Sequence, residues 1–244
     1  MRVAIFDIDG TLAHSTRADD RCFVRAVAEV FGISGFSTDW LAYQHQTDSG
    51  LCWELVRRHL GRDPTADECR QAEARLVALL AETVRADPDA IREVPGAVRL
   101  FRQLEDDPGW AVAVATGSWP ASARFKLRRI GLDPDHVALA SSGEAMDRCE
   151  IVQAAMRKAL VRAGGRVPGA SLTGPLPRLG AVYVGDGLWD LKAARRLGIG
   201  FLGVAANGTA RLREAGAEAV VADFADRGQV LRLLESLAQA PGER

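Results

Sequence analysis

Three short apolar runs in this chain stop abruptly at polar, glycine-containing turns: residues 3–6 before Asp7, 110–115 before Thr116, and 181–184 before Gly185. None alternates, the pattern of a strand covered on both faces in a parallel sheet. Weaker runs at 137–140, 200–205 and 219–221 extend the series. Helical periodicity fills the intervals at 97–104, 120–130, 149–163, 188–197 and 230–237. Strand and helix in repeated alternation predict a doubly wound α/β fold, a parallel Rossmann-like sheet with helices on both faces.

Residues 14–94 interrupt this rhythm with helical patterns and no convincing strand. Phe23, Val27, Val30 and Phe31 share a helical face, and Thr65-Ala66-Asp67-Glu68 reads as a capping box opening a long amphipathic helix to about residue 86. Such a block, placed after the first strand and closed by Pro95-Gly96, predicts an all-helical inserted domain at 14–94 within a core made of 1–13 and 95–244. Residues 164–180, rich in Gly and Pro, read as a long surface loop.

Composition narrows the function. Length fits one large domain or two small ones in a chain of 244 residues. With 31 basic and 32 acidic side chains and a net charge of −1, no overall field draws it to nucleic acid or an anionic membrane. Three of the basic residues are Lys, at 126, 158 and 192; the rest are Arg. The four cysteines show no metal-site spacing and read as free thiols. The apolar start meets Asp7 too early for a signal peptide or a membrane span, so a cytoplasmic protein, monomer or homodimer, is expected.

Ligands of open α/β sheets sit beyond the carboxyl ends of the strands. After the first strand comes Asp7-Ile8-Asp9-Gly10-Thr11-Leu12, in which carboxylates two apart in extended chain face the same side. Gly10 lets backbone N–H groups approach an anion. Two carboxylates facing a phosphoryl group require a divalent cation between them. Read as an EF-hand loop the segment fails, since Leu12 and Ala18 stand where Gly and Glu are needed; a solvated turn remains open for this motif alone. Thr116-Gly117-Ser118-Trp119-Pro120 places hydroxyls and free amides at a helix start, suited to phosphate oxygens or simply to capping. Gly185-Asp186-Gly187-Leu188-Trp189-Asp190 imitates a dinucleotide fingerprint, but Asp186 and Asp190 would repel a pyrophosphate, and a metal site is the better reading.

Taken together and in this order, the motifs at Asp7–Leu12, Ala115–Ser118 and Val184–Asp190 resemble those of the haloacid dehalogenase superfamily, in its phosphoglycolate phosphatase-like branch with a helical cap. Val94-Pro95-Gly96, Arg195-Arg196-Leu197-Gly198 and Leu212-Arg213-Glu214-Ala215-Gly216-Ala217 add to the likeness. The resemblance implies that Asp7 attacks phosphorus to form an aspartyl-phosphate, and that Asp9 protonates the leaving oxygen and then activates water. It implies a Mg²⁺ ion held by Asp7, the Asp9 backbone and Asp186. Asp190 would be a direct or water-mediated ligand, or the orienting partner of a cation. Gly10, Thr11, Thr116 and Gly117 would bind phosphate. Asp9 also argues against dehalogenation, because the dehalogenases lack that acid.

The family's third motif is normally a lysine. Lys126 reads as too far along its helix to reach the strand ends, and Arg148, just before a helix start, is assigned the role. A surface arginine is the competing reading. The cap would select the leaving group through His14, Arg17, Thr47 and Asp48, within or near the polar stretch 43–50. Overall a Mg²⁺-dependent phosphatase acting on a small phosphorylated metabolite is expected: a phosphoglycolate-like acid, a sugar phosphate or a nucleotide. A phosphomutase or phosphotransferase would use the same Asp7 chemistry, and a non-catalytic binding module is a further alternative.

Overall fold

The computed structural model describes residues 1–164, 180–205 and 210–239. Six parallel strands form one sheet: β1 (Arg2–Phe6), β4 (Trp110–Ala115), β5 (Ala138–Ala140), β6 (Ala181–Gly185), β7 (Gly200–Val204) and β8 (Ala219–Val221), in the order β5-β4-β1-β6-β7-β8. Strand β1 lies between β4 and β6, with Phe6 level with Val114 on one side and Val184 on the other. The chain builds outward from β1 through β4 and β5 on one side, then crosses back to build β6, β7 and β8 on the other, so the crevice for a ligand opens beyond the carboxyl end of β1.

The lack of alternation in the strands has its expected cause. All six residues of β4 and all five of β6 are buried. Along β1, Ala4 and Phe6 enter one apolar cluster while Val3 and Ile5 enter the other, so each sheet face carries its own core. On the first face, α4 (Ala97–Asp106) supplies Phe101, whose ring lies 5.5 Å from that of Phe6. On the second, α6 (Arg148–Arg162) and α7 (Leu188–Leu197) pack Ile151, Val152, Leu191 and Ala194 against the sheet. The remaining core helices are α5 (Pro120–Arg129), α8 (Ala210–Glu214) and α9 (Arg227–Leu237).

Between β1 and α4 lies the expected helical block, made of α1 (Thr16–Phe31), α2 (Asp48–Leu60) and α3 (Ala66–Ala86). Thr65 and Glu68 form a reciprocal capping box at the start of α3, as their spacing predicts. The block is not strand-free at its ends. Two-residue strands β2 (Ala13–His14) and β3 (Arg92–Glu93) pair antiparallel where the chain leaves and rejoins the core. Two residues are too few for periodicity to register. The polar stretch 43–50 is also partly helical, because Thr47 caps α2 through a hydrogen bond from the Gly50 amide to its Oγ1. The apolar faces of α1, α2 and α3 (Phe23, Val27, Leu55, Leu76) continue the first core cluster, and the Phe23 ring sits 5.6 Å from that of Trp119 in the core.

The loop expected at 164–180 falls almost entirely outside the described residues. No helix among the described residues is long and apolar enough to cross a membrane, and all four cysteines are free.

Candidate active site

Asp7 follows β1 directly, and its amide donates to the Val184 carbonyl of β6 at 2.9 Å. This ties the residue to the sheet at the level where β4 ends before Thr116 and β6 ends before Asp186. Asp7, Asp9, Thr116, Gly117, Ser118, Arg148 and Asp186 line one cavity, closed on the other side by Thr47, Asp48 and other residues of the helical block. Sequence elements more than 100 residues apart thus meet where the topology of the sheet predicts.

Arg148 lies at the start of α6, and its Nη1 donates to Asp7 Oδ1 at 3.2 Å. Nη2 donates to the Gln46 carbonyl of the helical block, also at 3.2 Å, and Nε lies 3.6 Å from Asp190 Oδ1. Gly117 makes this approach possible: a Cβ there would stand 2.7 Å from Arg148 Nη2 and 2.8 Å from the Gln46 carbonyl oxygen. Arg148 is thus placed beside Asp7, at the end of β1.

Lys126 requires a correction. The side chain is completely buried, and its Nζ donates to Asp9 Oδ2 at 2.6 Å, Asp19 Oδ1 at 2.8 Å and Ser118 Oγ at 2.7 Å. Helix side chains lean toward the helix N-terminus, so a lysine in the second turn of α5 recovers much of the distance that its Cα has lost. Asp9 is held from both sides, since Ser15 Oγ donates to Oδ1 at 2.6 Å and Ser118 Oγ to Oδ2 at 2.9 Å.

These neighbours set opposite protonation tendencies for the paired aspartates. Burial and the charge of Asp190 push Asp7 up to about 8, with Arg148 opposing. Burial would raise Asp9 too, but the Lys126 ammonium and the hydrogen bonds of Lys126, Ser15 and Ser118 hold it below the usual carboxylate range. Asp186 is raised well above that range by burial, Asp7, Asp190 and Asp9.

The crowding is the fit test for a cation. Ligand atoms of Asp7, Asp186 and Asp190 lie within 4.8 Å of one another. An all-oxygen set of carboxylates suits a hard divalent ion such as Mg²⁺. Gly10, at φ +77°, also leaves room for Asp186, because a Cβ at that position would overlap the Asp186 carboxylate. Asp190 differs from the other two acids. Its Oδ1 accepts from Tyr183 OH at 2.9 Å and its Oδ2 from the Gly187 amide at 3.0 Å.

Several expected site residues lie elsewhere or serve another purpose. Gly10 and Thr11 do not line the cavity; their amides close the local turn onto the carbonyls of Ala13 and Ile8. His14 sits in the β2–β3 ribbon with Arg92 and Asp223 as its charged neighbours, outside the cavity, and Arg17 is exposed. In an extended entry to α1, proximity in sequence to the Asp7 motif does not carry a side chain into the crevice. Thr47 and Asp48 do line the cavity, but they also dock the helical block on the core. Thr47 Oγ1 donates to the Met146 carbonyl at 3.0 Å, the Asp48 amide to the Gly117 carbonyl at 2.7 Å, and the Trp119 amide to Asp48 Oδ2 at 2.8 Å.

Ser15, Asp19, Asp20, Trp40 and Trp189 were not expected at the site. Asp19 was the hardest to foresee, since only a partner as buried as Lys126 distinguishes it from other helix-start acids.

The model of the haloacid dehalogenase-like hydrolases matches residues 1–198. The chain is 29% identical over 198 residues to the phosphoglycolate phosphatase of Cereibacter sphaeroides (strain ATCC 17025 / ATH 2.4.3), covering 81% of this chain and 82% of that one. Among solved structures, a hydrolase from Pseudomonas syringae superposes with a TM-score of 0.70 at 22% identity, over 98% of this chain and 100% of that one. The CbbY protein of Rhodobacter sphaeroides, solved with xylulose-1,5-bisphosphate, gives 0.66 at 23% identity, over 93% and 97%. At these identities the two structures speak for the fold alone.

Proposed function

The chain belongs to the haloacid dehalogenase-like hydrolases, and on that footing we propose that it is a Mg²⁺-dependent phosphatase of small phosphomonoesters working through an aspartyl-phosphate. The observation that carries this reading is the pairing of two aspartates in unlike surroundings at the end of β1. Asp7 is contacted by Arg148 and crowded by Asp186, while Asp9 is held by Ser15, Ser118 and Lys126.

Asp7 attacks phosphorus, forming the new P–O bond as the bond to the leaving oxygen breaks. Asp9 is ionised in the free site, so the proton it passes to that oxygen is one brought in by the substrate monoanion; in the second half it takes a proton from the water that cleaves the aspartyl-phosphate. Arg148 faces the nucleophile, and its planar fork reaches Asp7 and the helical block together. Thr116 and Gly117 border the phosphoryl pocket. Asp7 and Asp186, with the backbone of Asp9, would hold the ion, while Asp190, fixed by Tyr183 and the Gly187 amide, orients Arg148 by its charge from 3.6 Å. When bound, Mg²⁺ offsets the charge of the carboxylates and of the phosphoryl oxygens. The helical block 14–94 acts as a cap over the core 1–13 and 95–244, excluding water from the reaction.

The test is a phosphomonoester panel assayed with and without Mg²⁺, beside Asp7→Asn. The expected result is Mg²⁺-dependent release of inorganic phosphate that Asp7→Asn removes. Absence of hydrolysis across the panel, or delivery of the phosphoryl group to a sugar hydroxyl instead of water, would overturn it.

A further inference from the structure

The cavity is acidic and aromatic. Beyond Asp7 and Asp9, it is lined by Asp19, Asp20, Asp48 and Asp186, with the rings of Trp40 and Trp189. Among the described residues Arg148 is its one lining cation, and Arg148 is already spent on Asp7 and the Gln46 carbonyl. Lys126 behind it is fully buried and committed to Asp9, Asp19 and Ser118.

Asp20 is the acid free to meet a ligand. It is partly exposed, and Trp40 Nε1 donates to its Oδ1 at 2.9 Å, which fixes the carboxylate beside the indole and leaves Oδ2 without a hydrogen-bond partner among the described residues. Trp189 Nε1, in the same cavity, is buried and has no hydrogen-bond partner among the described residues. A hydroxyl can donate to Asp20 and accept from Trp189, and an ammonium can pair with Asp20 against the indole faces. A carboxylate would face Asp20 as a like charge, and among the described residues the one cation lining this cavity, Arg148, is already engaged, so the arrangement is disfavoured. Arg211 does not line this cavity; it lines an adjoining one, beside Asp39, that shares Thr16, Asp20, Trp40, Asp186 and Trp189 with it.

We infer that the pocket takes a leaving group that donates hydrogen bonds and carries no negative charge: a hydroxyl- or ammonium-bearing alkyl phosphomonoester, not a phosphorylated carboxylic acid. This rests on the phosphatase reading above and separates the chain from the phosphoglycolate phosphatase it is similar to. The specificity-determining residue is Asp20.

Three substrates of matched size isolate the charge: 2-phosphoglycolate, 2-hydroxyethyl phosphate and O-phosphoethanolamine. With Mg²⁺, kcat/KM for 2-phosphoglycolate is expected to lie at least about tenfold below the better of the other two. Asp20→Asn is expected to raise the ratio of 2-phosphoglycolate to O-phosphoethanolamine by about tenfold, a readout that a general loss of fold would not move. Whichever of the two is the better substrate identifies the donor as hydroxyl or ammonium. Equal or preferred turnover of 2-phosphoglycolate, or a ratio unchanged by Asp20→Asn, would overturn the inference. In both cases p-nitrophenyl phosphate would still be hydrolysed and the phosphatase reading would stand. If p-nitrophenyl phosphate and all three substrates are inert, the phosphatase reading itself has failed and the inference falls with it.

Discussion

Lys126 Nζ lies 2.6 Å from Asp9 Oδ2, joining residues 117 apart in sequence inside the fold. The same ammonium reaches Asp19 Oδ1 at 2.8 Å in α1, so one buried cation ties the second aspartate of the β1 motif to the helical block. Replacing it leaves two buried carboxylates without their counter-charge. Lys126→Met is therefore expected to destabilise the fold by about 3–5 kcal/mol, read by chemical denaturation. It also misplaces Asp9. Turnover of alkyl phosphomonoesters, which need a proton on the leaving oxygen, should fall by about 10² or more, while that of p-nitrophenyl phosphate falls less. Equal losses on both substrates would make Lys126 a structural residue only.

Arg148 touches Asp7 and the Gln46 carbonyl with different nitrogens. Arg148→Ala should lower kcat by about 10²–10³, the usual effect of removing one donor from a charged transition state. Arg148→Lys should recover only part of this, since an ammonium cannot span both partners. Steady-state kinetics of the two variants with one substrate checks the order.

Removal of divalent ions with a chelator should abolish turnover, and Mg²⁺ should restore it. Gly10→Ala gives a readout that does not depend on turnover. The added methyl overlaps the Asp186 carboxylate at a backbone φ of +77° that favours glycine. Mg²⁺ affinity measured by calorimetry should weaken by about 10–100-fold, as when a supporting group around a metal site is disturbed.

Most of the sheet was legible because both its faces are covered. The runs at 110–115 and 219–221 and the helix at 188–197 end in the structure where their patterns end. Arg148 was legible from its place before a helix start. Lys126 was not, because its Cα position suggests distance while the lean of helix side chains toward the N-terminus closes it. His14 misled in the opposite direction, since nearness to the Asp7 motif in sequence is lost when Ala13 and His14 pair with Arg92 and Glu93. Asp19 and Ser15 gain their roles from partners more than 100 residues away or across a turn, and no periodicity encodes that.

The capping box of α3 predicts an acid-sensitive element. Arg62 and the Thr65 amide hold Glu68 down to about 2. A folded-state value below that of an unfolded glutamate, about 4.3, makes the contribution fully present above that pH. It is lost as pH falls from about 4 toward 2. Glu68→Gln should therefore flatten the dependence of stability on pH in that window, measured by denaturation at a series of acidic pH values, and leave the neutral range with the ordinary cost of a weakened cap.

Acid-quenched single turnover with a ³²P-labelled phosphomonoester and Mg²⁺ puts Asp7 itself to the test. Label should appear on the protein before free phosphate accumulates, map to the peptide that contains Asp7, and disappear in Asp7→Asn. Release of labelled phosphate with no protein-bound intermediate, or label on a peptide other than that of Asp7, would contradict nucleophilic attack by this residue.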